Sequence, residues 1–122
     1  MTDVSTHKPP AHKPMALLLD DNLMSSSRVA SSLSRLGYEV RTARQLSTEQ
    51  MPQLVVINLG SRGLDFAQLI SNCRERFALA RVIGFCGHRE VEIRRAAKNA
   101  GIETILTNDQ VLTEPEKWLP RA

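Results

Sequence analysis

The chain predicts an α/β domain: a doubly wound, five-stranded parallel sheet of order 2-1-3-4-5, with helices on both faces and a short last helix. Three observations carry this. Short apolar runs alternate along the chain with segments whose apolar residues recur at helical spacing. The stretch Leu54-Val55-Val56-Ile57-Asn58 is apolar at four consecutive positions, as a central strand buried on both faces must be. Each strand-like run then ends in polar or small residues, and in open α/β sheets the chemistry collects at those carboxyl ends.

Taken in order, residues 1–14 (MTDVSTHKPPAHKP) hold Pro, Lys, His and Thr with little to bury, and read as a disordered tail. The domain then runs over 15–122. Ala16-Leu17-Leu18-Leu19 is the first strand, stopped by Asp20-Asp21-Asn22. Leu23, Ala30 and Leu33, with Val29 and Leu36 alongside, form a helical stripe that Gly37 closes. Tyr38-Glu39-Val40-Arg41-Thr42 alternates as a half-buried strand. Residues 44–51 hold about two helical turns before Pro52. After the 54–58 strand, Asp65 is placed to cap a helix carrying Phe66, Leu69, Ile70, Cys73 and Phe77 on one face. Val82-Ile83-Gly84-Phe85 is the fourth strand, ending at Cys86-Gly87-His88. A helix near 89–99 turns Ile93, Ala96, Ala97 and Ala100 inward and ends at Gly101. Glu103–Thr107 is the fifth strand, ending at Asn108-Asp109. Thr113-Glu114-Pro115-Glu116 matches a capping box with Pro in the first turn, opening a stub halted by Pro120.

Composition excludes several classes. The net charge is +3, of which the first fourteen residues supply +1, so charge gives no case for nucleic-acid binding. Aromatics at 4% leave no stacking platform for single strands. No stretch of apolar residues is long enough for a membrane span, and Cys73 and Cys86 lack metal-ligand spacing, which implies reduced thiols and a cytoplasmic protein. A phosphate cradle after the first strand is excluded because Asp20 and Asp21 would repel the anion, despite Ser25-Ser26-Ser27 nearby. His88 has no orienting acid in a catalytic arrangement and reads as a surface residue. Arg89, Arg94, Arg95 and Lys98 read as a solvated helix face.

The strand-end residues carry a resemblance. Leu17-Leu18-Leu19-Asp20-Asp21-Asn22, Leu36-Gly37-Tyr38-Glu39-Val40 and Ala97-Lys98-Asn99-Ala100-Gly101 together resemble the receiver domain of two-component response regulators, over about residues 15–119. That resemblance implies the flavodoxin-like (CheY-like) fold and a phosphorelay role in signal transduction. It also implies that the Asp20-Asp21 pair held a magnesium ion, that the third strand ends in a phosphoacceptor aspartate, the fourth in Thr or Ser, and the fifth in lysine. Here those three positions are Asn58, Cys86 and Asn108.

A neutral carboxamide is no nucleophile toward a phosphoryl donor, so Asn58 is a phosphoacceptor equivalent that cannot be phosphorylated. The expected function is therefore a pseudo-receiver, without enzymatic activity, acting by phosphorylation-independent contact with a signalling protein partner. It needs no cofactor, and Asp20 and Asp21 form a residual acidic pocket with at most weak magnesium affinity. The alternative is a metal- or small-ligand-sensing domain using that pocket. Asn58 is expected to donate to Asp20 or Asp21 and accept from Asn108. Neither nucleic acid nor membrane is an expected partner. The short last helix implies a monomer or weak dimer.

Overall fold

Each strand of the sheet is a short run whose alternate side chains feed two different cores. In the computed structural model, which describes residues 13–46 and 51–122, β1 (Met15–Leu19), β2 (Glu39–Ala43), β3 (Leu54–Asn58), β4 (Arg81–Cys86) and β5 (Thr104–Thr107) pair in the order β2-β1-β3-β4-β5. All four pairings are parallel. The expected doubly wound architecture and strand order are therefore present. On one face, Ala16, Leu18, Leu54, Val56, Ile83 and Phe85 pack against α1 (Leu23–Arg35), α4 (Asn108–Thr113) and the segment after α5 (Pro115–Trp118). On the other, Leu17, Leu19, Val55 and Ile57 pack against α2 (Phe66–Arg76) and α3 (Val91–Asn99).

The local signals act mostly as expected. Gly37 adopts a positive φ of 99° and ends α1, which a residue with a Cβ resists. Asp65 caps α2, its Oδ1 accepting from Gln68 N at 3.1 Å. In the short last helix Pro115 occupies the first turn, and the Leu119 that follows is buried. Tyr38 ties the C-terminal segment down by donating to the Pro120 carbonyl at 2.9 Å, and burial pushes its phenol up from the usual tyrosine value despite the nearby Arg81 charge.

Four local expectations change. The capping box sits at Thr107 and Gln110 rather than at Thr113, because the chain turns helical directly after β5. Thr113 lies at the end of that helix, its hydroxyl donating to the Asp109 carbonyl at 2.6 Å. Leu23 is 85% exposed instead of inward, since it stands at the first turn beyond the strand ends, while Ser26, Val29, Ser32 and Leu33 make the buried face. On α3, Ala96 is exposed and Arg94 turns inward, with Nε and Nη2 shut away from solvent and lacking a partner, whereas Arg89, Arg95 and Lys98 keep to the solvated face. Of the helix expected over 44–51, residues 47–50 lie outside the described residues, and Arg44, Gln45 and Leu46 are not helical. The expected disordered tail lies outside the described residues except for Lys13 and Pro14, and the Pro14 carbonyl accepts from Glu39 N at 2.9 Å. Among the described residues no helix is long and apolar enough to cross a membrane.

Candidate functional site

Register alone sets the heart of the site. Leu19 of β1 stands opposite Ile57 of β3, so the next residues, Asp20 and Asn58, meet just past the strand ends. Asp20 is 5% exposed, and a carboxylate that deep must be hydrogen-bonded. Its Oδ1 accepts from Asn22 N at 2.9 Å and from Asn58 Nδ2 at 3.0 Å, and its Oδ2 accepts from the Ser25 hydroxyl at 2.6 Å. Three neutral donors thus hold one buried charge.

The Asn58 amide is oriented without ambiguity. Its Nδ2 faces a carboxylate, while its Oδ1 accepts from Gly60 N at 3.0 Å. Rotating the amide by half a turn would set oxygen against oxygen on one side and N–H against N–H on the other. The expected bond from Asn58 to Asp20 is present. The expected acceptance from Asn108 is replaced by the bond from Gly60 N, because the backbone amide two residues on reaches Oδ1 first.

Asp21 behaves differently from its neighbour. It is exposed, and its Oδ2 accepts from Arg62 N at 3.0 Å while its own N–H donates to the Ser61 hydroxyl at 3.2 Å. The helix cap is neither aspartate but Asn22, whose Oδ1 accepts from Met24 N and Ser25 N. This frees Asp20 for its role as the acceptor at the centre of the cluster.

The remaining strand ends divide. Asn108 is the first residue of α4 and lines a cavity of about 430 Å³ together with Asn58, Asp21 and Gly87. Cys86 does not join them. Successive strand residues point to opposite faces, and with Phe85 on the Asn58 side, Cys86 is 1% exposed within the core beneath α2 and α3. His88 is exposed. A second cavity of about 680 Å³, lined by Asp20, Asp21, Arg44 and Arg62 among others, opens on the other side of Asp21.

Sequence reasoning missed two members, Ser25, read only as part of an excluded phosphate cradle, and Glu90. Glu90 stands at the N-cap position of α3 but makes no capping bond. Instead its Oε2 folds back to accept from Gly87 N at 3.0 Å, and its side chain lies over both Gly60 and Gly87 at the cavity wall. The Gly87-His88-Arg89-Glu90 turn ends in an acid, but the sequence alone does not say whether that acid caps α3 or folds back on Gly87. The floor below is set by packing: a Cβ at Gly84 would come within 2.8 Å of the buried Leu59 side chain, so glycine there seats the loop that carries Asn58 and Gly60.

Comparison with solved structures places this geometry. The chain is similar to the signal receiver domain of an HD domain-containing protein from Pseudomonas fluorescens Pf-5, with 21% identity over 89% of this chain and 88% of that one and a TM-score of 0.69. The fold is that of a receiver domain. The receiver domain of NtrX from Brucella abortus superposes with a TM-score of 0.62 at 25% identity, covering 85% of this chain and 97% of that chain. A response regulator from Burkholderia pseudomallei, solved with a phosphorylated aspartic acid, a calcium ion and citrate, gives 0.65 at 19% identity over 85% of this chain and 69% of its own. No family model and no curated protein sequence matches the chain. In this receiver fold Asp20, Asp21 and Asn58 stand together at the strand ends, Asn108 stands across the cavity, and Cys86 is withdrawn into the core.

Proposed function

We propose that this domain is a pseudo-receiver, a cytoplasmic signalling module that contacts a protein partner without phosphoryl transfer and has no catalytic activity of its own. The single observation that carries the reading is the state of Asn58, whose two amide atoms are both committed, to Asp20 and to Gly60 N. The resemblance to receivers puts the acceptor carboxylate at this position. A carboxamide there supplies no nucleophilic oxygen.

The residues present do not fit a resident magnesium ion. Magnesium is held by charged or carbonyl oxygens in near-octahedral geometry. Both oxygens of Asp20 are already taken by internal donors, the Asn58 amide turns its NH₂ toward that carboxylate, and of the acidic pair only Asp21 keeps an uncommitted oxygen. Among the described residues no three His, Cys, Asp or Glu side chains gather where they could hold a metal. This weighs against the metal-sensing alternative and leaves protein contact as the better-supported mode, with a monomer or weak dimer as the working state.

Intact mass after incubation with acetyl phosphate and magnesium tests the reading, on the wild type and on Asn58→Asp. The wild type is expected to stay unmodified. A phosphoryl group gained by the wild type would overturn the proposal, because another residue would then be the acceptor. A gain on the Asp variant alone would localise the loss of reactivity to one atom substitution.

A further inference from the structure

Several exposed cations of this domain have a partner. Arg41 pairs with Glu39 at 2.9 Å, Lys117 lies 3.8 Å from Glu114, and Arg74 donates to the Gly101 carbonyl at 3.3 Å. Three other arginines do not, and they converge. Arg44 follows β2, Arg62 stands in the loop after β3 and Arg76 lies in the last turn of α2, yet all three line one cavity of about 390 Å³. Among the described residues none of their side chains makes an ion pair or a hydrogen bond, and Arg62 bonds only through its backbone N–H. Like charges gathered without a counter-ion repel one another, so their convergence calls for an explanation.

The rest of the lining shares the bias. On α2, Gln68, Asn72 and Arg76 follow at intervals of four residues, a stripe in which every side chain carries N–H donors. Asp65 is the one carboxylate on this lining, and its Oδ1 is taken by Gln68 N in capping the helix. Three cations against one anion leave a surplus of two positive charges. Asp20 and Asp21 line instead the adjoining cavity of about 680 Å³, which shares Arg44, Arg62 and Leu64 with this one. An anion is therefore repelled at the Asp21 end and held at the Arg76 end. Asp21 also steadies Arg62, because its Oδ2 accepts from Arg62 N at 3.0 Å and its N–H donates to the Ser61 hydroxyl at 3.2 Å. Partly buried Leu46 and Leu64 give the groove an apolar wall beside the cations.

We infer that this groove binds a small phosphate monoester. A phosphate monoester carries close to two negative charges at neutral pH and three strong acceptor oxygens, which match the charge surplus and the guanidinium forks. A lone carboxylate would leave half of that surplus unmet. The organic group of the ester lies along Leu46 and Leu64, and the volume is at the small end for ligand sites, which suits a small molecule rather than a peptide segment. Binding here involves neither Asn58 nor the partner contact proposed above.

Titration of the wild-type domain with inorganic phosphate and with phenyl phosphate at constant ionic strength, followed by amide and arginine Nε resonances, tests this. Shifts are expected at Arg44, Arg62, Gly63, Asn72 and Arg76, with phenyl phosphate binding the tighter of the two. Arg62→Gln and Arg76→Gln should each weaken phenyl phosphate binding by about tenfold, whereas Arg95→Gln, on the solvated face of α3, should not. Asp65→Asn keeps a capping side chain and removes the opposing charge, so it should tighten binding by about two- to fivefold. The inference falls if phosphate shifts the resonances no more than chloride does, if Arg95→Gln weakens binding as much as Arg62→Gln, or if the shifts map to another face. Phenyl phosphate binding no tighter than inorganic phosphate would overturn the ester, and a phosphoserine peptide binding tighter than either would make the ligand a partner's side chain instead.

Discussion

The two sides of the strand-end cavity use similar residues to opposite ends. On the β1 side, Asp20, Ser25, Asn58 and Gly60 N form a closed set of hydrogen bonds in which the buried carboxylate has a donor on each oxygen. Toward the mouth, Asp21 and Glu90 are exposed carboxylates each holding one backbone N–H, and the exposed Met24 lines the same cavity. The first group spends its polarity internally and behaves as scaffold. The second leaves acceptors and apolar surface turned outward. A central group whose hydrogen-bonding capacity is filled from within has little left to react with.

The sharpest way to break this comparison is to convert the scaffold. Asn58→Asp replaces a 3.0 Å hydrogen bond by two facing carboxylates, and the variant should lose roughly 2–4 kcal/mol of stability in urea unfolding at neutral pH without divalent ions. Magnesium should restore part of that loss and leave the wild type unchanged. An Asp variant as stable as the wild type would mean that the β1 side is not the rigid half. An alkaline scan separates the site from the core beneath it. Burial pushes the Cys73 thiol up from 9.0 to about 11. The folded state therefore holds its proton more tightly than the unfolded chain, so stability is intact below pH 9 and falls as pH rises toward 11, by on the order of 2–3 kcal/mol. Cys73→Val should remove that component and leave the Asn58→Asp penalty at pH 7 untouched. The smallest effect is expected at the rim: Met24→Ser and Glu90→Gln should each change stability by no more than about 0.5 kcal/mol, as measured by the same unfolding curves. A larger loss would place Glu90 in the scaffold through its bond to Gly87 N.

Much of this arrangement was legible in the sequence. Consecutive apolar residues at 54–57 mark a strand buried on both faces, and Gly37 and Asp65 end and begin helices by their own backbone and side-chain chemistry. The identities of Asp20, Asp21, Asn58 and Asn108 at strand ends follow from the same reading. Three features were not legible, for physical reasons. Cys86 is withdrawn from the group by strand alternation relative to Phe85, which depends on where β4 starts its register against β3. Asn58 Oδ1 bonds Gly60 N instead of Asn108 because loop geometry, not side-chain type, decides which donor arrives. Glu90 enters because its side chain folds back on Gly87 rather than capping α3, a choice between two local bonds of similar strength.

By itself, then, the sequence determined the five strands and their parallel sheet and the absence of a nucleophilic carboxylate at position 58, since each depends on residue type and spacing along the chain. Only the tertiary structure decided which donors saturate Asp20, that Leu23 stands in solvent rather than in the core, and that Glu90 faces Gly60 across two loops. Those outcomes turn on how the loops after β1 and β4 fold against β3, and on which donor reaches each acceptor with good geometry.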